Sequence, residues 1–191
     1  MITSEWNPPR RYTCVVVFDQ KMERVLLVEK LKPVAQKGKV NFPGGALEEK
    51  DFEGFDGDSG TQGALAFGYA TCAARELFEE TGLVVRQLKL IPFCELRCPR
   101  ETAGAAEVRF FVTVADIDSA FSQEAEKVFT ARIDTIMRLG IADSLFSEGA
   151  IEPSYRLVMT MKNLPWLVSM ALVALRSESF QPHVVYDLGN G

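Results

Sequence analysis

The amino-acid sequence predicts an α/β or α+β sandwich, with helices packed on a mixed sheet. Three observations point to it. Two short runs rich in β-branched and apolar residues, Tyr12–Phe18 (YTCVVVF) and Arg24–Val28 (RVLLV), flank a turn-forming stretch, Asp19–Glu23, and such runs favour strands. Between Ala64 and Thr81, residues Ala70, Ala73, Ala74 and Leu77 recur at three- and four-residue spacing. That spacing gives a helix with a small-residue face suited to close packing. Near the C-terminus, Trp166–Arg176 is almost wholly apolar, as a helix buried in a core would be. Strands interleaved with such helices must bury their apolar faces in stacked layers.

The remaining elements follow in order. The first two strands form a hairpin. Lys30–Lys39 reads as a basic loop holding Pro33 and Gly38, and Val40–Gly45 (VNFPGG) as a short strand entering a tight glycine turn. Asp51–Gly63 (DFEGFDGDSGTQG) carries four glycines and four acidic residues, the composition of an exposed loop that buries little. Gly82 is placed to cap the helix that ends at Thr81. Strands are expected at Leu83–Glu95 and Glu107–Ala115, a helix at Ile133–Gly140, and a closing strand at His183–Leu188 (HVVYDL). Trp166 is assigned to the core rather than to a stacking surface.

Bulk properties narrow the function. At 191 residues the chain makes one domain, 1–191, with a sizeable core. A net charge of −5 argues against broad contact with a nucleic-acid polymer or an anionic membrane. The most apolar stretch, Pro165–Leu175, is too short to span a bilayer, and no signal-like run opens the chain. The cysteines, Cys14, Cys72, Cys94 and Cys98, form no CxxC pair, and the single His183 is too little for zinc. Reduced thiols and a cytoplasmic location are expected. Oligomeric state stays open.

The chemistry concentrates in RELFEETGL, Arg75–Leu83. On a helix Glu76, Glu79 and Glu80 occupy i, i+3 and i+4, so their carboxylates share one face. Three like charges that close disfavour the helix unless a cation sits among them. A hard divalent ion suits oxygen ligands, and magnesium in particular joins a few carboxylates to substrate phosphates. Arg75 precedes Glu79 by four residues and can orient it through an ion pair. The plain reading of neighbouring glutamates is a solvated acidic face. A pattern fixing this many residue types arises by accident in on the order of one chain in 10⁵, and it follows a PGG turn, so the plain reading is set aside.

PGGALE at Pro43–Glu48, followed by RELFEETGL, resembles the Nudix box, GX₅EX₇REUXEEXGU. The resemblance implies an α/β/α sandwich around a mixed sheet that hydrolyses nucleoside diphosphates linked to another group, using Mg2+ or Mn2+. It implies metal ligands at the Gly44 carbonyl and at the Glu76, Glu79 and Glu80 side chains, with Arg75 orienting them. Glu76, Arg75 and Glu79 are then the catalytic set, with Glu76 or the Glu124/Glu126 pair as general base. Gly45 and Arg75 stand 30 positions apart rather than the pattern's 14, so about sixteen residues are inserted, at about 51–66. Glu48, Glu49 and Asp51 all qualify as the box's upstream acid. A lengthened loop costs little entropy and leaves the helix intact.

More faintly, the chain resembles the MutT-type branch that hydrolyses oxidised purine nucleoside triphosphates. The shared features are Tyr12-Thr13 before CVVVF, Asn41 ahead of the PGG turn, and Asn163 before the Trp166 helix. These imply Thr13, Asn41 and Asn163 as base contacts, since an amide can donate and accept at a purine edge. Asn163 also suits a helix cap before Pro165. Lys162 and Thr160 stand where that branch carries an acid and a stacking tryptophan. The expected reaction is a nucleoside triphosphate giving a monophosphate and pyrophosphate. ADP-ribose, nucleotide-sugar or dinucleotide hydrolysis is the first alternative, and a non-catalytic nucleotide-binding module the second.

Overall fold

In a computed structural model the described residues are 9–31, 38, 40–58, 60–98, 105–122, 127–142 and 164–186. Among the described residues seven strands form one mixed sheet: β1 (Arg10–Phe18), β2 (Arg24–Glu29), β3 (Val40–Asn41), β4 (Ile91–Cys98), β5 (Ala106–Val114), β6 (Lys127–Arg132) and β7 (His183–Tyr186). β1 runs parallel to β5 over nine residue pairs, from Arg10 opposite Ala106 to Phe18 opposite Val114. β5 returns antiparallel to β4, which is flanked in parallel by β7. β2 is antiparallel to β1, β3 and β6.

Strand alternation sorts the core into two layers. Cys14, Val16 and Phe18 of β1 face α2 (Ile133–Ala142) and α3 (Leu164–Arg176), packing with Ile136, Leu167, Val168 and Ala171. Val15 and Val17 face α1 (Gln62–Thr81) and meet Tyr69, Ala73 and Leu77. A strand buried on both faces reads as an unbroken apolar run, which is why CVVVF shows no alternation. The sandwich expected from the sequence is present, helices on either side of a mixed sheet.

Several elements differ from the sequence expectation. The strand expected at Leu83–Glu95 begins only at Ile91; the chain before it is irregular, with a 3-10 turn at Gln87–Lys89. Leu83 and Leu90 anchor that stretch in the core while Val84 and Leu88 face solvent, so its apolar residues do not follow a strand's period. β6 was not expected at all. It pairs with the whole length of β2, from Arg24 opposite Arg132 to Glu29 opposite Lys127.

The inserted stretch is not a free loop. Its first turn, Glu49–Phe52, is a 3-10 helix, and Asp51 is buried. Phe55 lies against Phe67, ring centroids 5.4 Å apart. Phe52 covers Gly68 so closely that a Cβ there would stand 2.6 Å from the ring. The insertion thus lengthens the N-terminal end of α1 and covers it. Trp166 is a further correction: it is 41% exposed on α3, outside the core.

Candidate active site

β1 fixes the glycine turn. Val15 N–H donates to the Pro43 carbonyl (2.8 Å), Thr13 N–H to the Gly45 carbonyl (2.9 Å), and Leu47 N–H to the Arg11 carbonyl (2.9 Å). The turn is therefore laid along β1 as an extra antiparallel segment. Gly44 sits at φ +153°, and a Cβ on it would come within 2.1 Å of the Thr13 carbonyl oxygen, so only glycine permits this contact. A Cβ on Gly45 would stand 2.3 Å from the Glu76 carboxylate carbon. That close approach seats the helix's first acid against the turn.

α1 brings the charged groups to this turn. It starts from a Thr61 N-cap, whose hydroxyl accepts from Ala64 N–H, and ends at Gly82 in the left-handed region, φ 71°, as the sequence led us to expect. Arg75 is the organiser. Its Nε and Nη2 donate to the two oxygens of Asp51 at 2.8 and 3.0 Å, and Nη1 donates to Glu76 Oε1 (2.7 Å) and Glu79 Oε2 (2.9 Å). Nη2 also reaches the Ala46 carbonyl at 3.1 Å. Of the three candidates for the upstream acid, Asp51 alone makes the bidentate pair that fixes a guanidinium in plane.

The electrostatics follow from burial. Burial pushes the Asp51 carboxyl up, but the Arg75 bonds and the Glu48 N–H outweigh it and hold Asp51 below the usual carboxylate range. For Glu76, burial wins over the Arg75 bond, and its carboxyl is raised. Burial also pushes the Cys72 thiol up to about 12, so it stays protonated and donates to the Ala46 carbonyl at 3.3 Å. Cys14, Cys72 and Cys94 are all free.

Glu80 turns away from Arg75. It is 5% exposed, and its Oε2 accepts from Gly44 N–H at 2.9 Å. Its other oxygen pairs with Lys30, whose Nζ also donates to the Gly44 carbonyl at 2.8 Å. Lys30, expected in a basic loop, is instead 5% exposed, directly after β2. β2 is buried on both faces, with Val25 and Leu27 in one core layer and Leu26 in the other, and a lysine that continues such a run into the interior needs a buried partner.

The donor chemistry suits a hard divalent cation: three carboxylates and one backbone carbonyl, gathered where a turn meets a helix. Glu76, Glu79, Glu80 and the Gly44 carbonyl would hold it. The glutamates carry cationic partners in this arrangement, and among the described residues no three such side chains converge as a ready cage.

Of the proposed base contacts, Thr13 and Asn41 are among the described residues. Thr13 is 1% exposed, its hydroxyl 3.4 Å from Cys72 Sγ, so it ties β1 to α1 beneath the turn. Asn41 is half-buried on β3, and its Oδ1 accepts from Phe42 N–H at 2.8 Å. Asn163, Lys162, Thr160, Glu124 and Glu126 lie outside the described residues.

The family profile decides the lineage. The NUDIX domain matches residues 8–139, most of the chain. The chain belongs to the NUDIX domain family. Solved Nudix structures share its fold. A NUDIX hydrolase from Alicyclobacillus acidocaldarius superposes with TM-score 0.59 at 18% identity, over 93% of this chain and 100% of that one. The NUDIX domain of Shewanella oneidensis NrtR, complexed with ADP ribose, gives 0.57 at 16%, over 89% and 90%. A MutT/nudix family protein from Enterococcus faecalis gives 0.52 at 16% over 69% of this chain; the match spans only about half, 47%, of that protein's length. No curated protein sequence matches.

Proposed function

We propose that this Nudix chain hydrolyses a diphosphate linkage in a nucleotide with a divalent cation, Mg2+ or Mn2+. The observation that carries the reading is the Arg75 cluster: one guanidinium, anchored bidentately by Asp51, presents Glu76 and Glu79 together at the glycine turn. Held at this site, the cation would offset phosphate charge and acidify a water. Arg75 keeps the two carboxylates from drifting apart, which removes the cost of organising them when substrate arrives. With Glu76 Oε1 committed to Arg75, Oε2 is the atom to take a proton from the attacking water.

The favoured substrate is a nucleoside triphosphate, giving a monophosphate and pyrophosphate, with an oxidised purine as one candidate base. Asn41 and Asn163 are the proposed base contacts. Thr13 acts through the turn it supports. The second reading is ADP-ribose or a related nucleotide, because the Shewanella domain carries that ligand on a similar fold. The proposed location is the cytoplasm, a reducing setting in which thiols stay reduced.

A panel of nucleoside triphosphates, oxidised purine triphosphates, ADP-ribose and nucleotide sugars, incubated with Mg2+ and resolved by product, tests the proposal. A triphosphate yielding monophosphate and pyrophosphate supports the first reading, and ADP-ribose yielding AMP the second. No product from any substrate removes both.

A further inference from the structure

Lys30 closes a ring. Its ammonium donates to the Gly44 carbonyl at 2.8 Å and to Glu80, and the other Glu80 oxygen accepts from Gly44 N–H at 2.9 Å. Both side chains are 5% exposed or less by residue. An ammonium ion therefore stands between two oxygens, Gly44 O and Glu80 Oε1, that belong to the donor set of the cation site. The local charge is consistent with this placement. Asp51, Glu76, Glu79 and Glu80 supply four negative charges, Arg75 and Lys30 two positive ones. Lys50 and Glu48 neutralise each other at 3.1 Å. With Lys30 in place the excess is four minus two negative charges, and with its ammonium expelled four minus one, so expulsion leaves a site that attracts a divalent ion more strongly.

We propose that Lys30 is a resident cation of the site, holding the Gly44 carbonyl and Glu80 together in the metal-free protein, and that a divalent ion must expel its ammonium to reach that pair. The inference rests on the divalent-cation site of the proposed function. Its physical basis is direct. Two cations within a few ångströms of the same oxygens repel strongly in a poorly solvated site, so Lys30 weakens cation binding while it stabilises the empty site. A purely structural ion pair between the end of β2 and α1 would make a different forecast. Removing Lys30 would then cost stability by stranding the Glu80 charge, with no gain in cation affinity.

Mn2+ binding to the full chain, without substrate, separates the two. Free Mn2+ is followed by electron paramagnetic resonance, with thermal unfolding in the presence and absence of the ion. Lys30→Met should melt lower when metal-free, bind Mn2+ about tenfold tighter or more, and show a larger Mn2+-induced rise in Tm than the wild type. Lys30→Arg, which keeps the charge, should retain wild-type affinity. If Lys30→Met fails to fold, Lys30→Gln, still able to donate to the Gly44 carbonyl, carries the same comparison. Mn2+ affinity in the uncharged variants equal to or weaker than wild type overturns the inference alone. Absence of Mn2+ binding from wild type and uncharged variants alike overturns the cation site and this inference together.

Discussion

At the scale of single residues, Asp51 shows how a fold can satisfy a requirement that the sequence presents ambiguously. Glu48 and Glu49 are the chemically matching acids, yet they stand exposed, and the shorter side chain at position 51 is the one that enters and meets Arg75. Counting forward from Gly45 reaches Asp51, so the position was legible; the residue type argued against it. Asp51→Asn keeps the size but removes the charge from a buried bidentate pair. It should lower stability by about 2–4 kcal/mol and loosen Glu76 and Glu79 through Arg75. Denaturant unfolding measures the first effect, and an unchanged midpoint would show that Asp51 does not anchor the guanidinium. Lys30 was missed because a run of basic residues invites the reading of a solvated loop. Its place just after the unbroken buried run Val25–Val28 is what distinguishes it.

At the scale of elements, the helix that carries the glutamates was readable to within two residues of its start and to its last residue, since its small-residue face and its glycine stop are local signals, whereas its Thr61 cap lies in a stretch that reads as loop. The insertion was not. Its glycines and acids describe the exposed positions 53, 54, 56–58 and 60 and mask the two phenylalanines, Phe52 and Phe55, that pack on α1. Phe52→Ala should cost about 1–2 kcal/mol, the value of uncovering a half-buried aromatic ring. Thermal and denaturant melts report it; a loss below a few tenths of a kcal/mol would return the segment to the status of a dispensable loop. β6 escaped notice for a different reason. KVFTAR is short and mostly half-exposed, and its strand character comes from pairing with β2, a tertiary contact that local pattern cannot announce.

At the scale of the whole molecule, the sheet joins distant parts of the chain through charged as well as apolar contacts. Glu95 on β4 accepts from Arg97 (2.7 Å) and from Arg109 of β5 (2.7 Å), and Arg109 lies over the Tyr69 ring of α1 at 4.2 Å. Burial pushes the Glu95 carboxyl up, yet the two arginines prevail and hold it below its ordinary value of 4.5. A carboxylate with a depressed folded pKa adds stability above its unfolded value, and that stability is lost as pH falls through the folded one. The Tm advantage of wild type over Glu95→Gln should therefore be constant above about pH 5 and shrink as pH falls below about 4.5. Parallel Tm profiles through that range would contradict the assignment. The fold class was legible because burial on two faces leaves a compositional mark, whereas which strand meets which depends on such long-range pairs.

In the proposed reaction Glu79 and its neighbours serve a divalent cation rather than decorating a helix. The direct measurement is turnover of the best substrate by wild type and by Glu79→Gln across a Mg2+ titration, with Tm recorded for both. Glu79 is 35% exposed at its side chain, so its loss should leave the fold standing. The expected result is turnover that vanishes without Mg2+, and a kcat lower by on the order of 10²-fold or more in the variant at saturating Mg2+, at nearly unchanged Tm. Near-normal turnover in Glu79→Gln, or wild-type turnover indifferent to Mg2+, would contradict it.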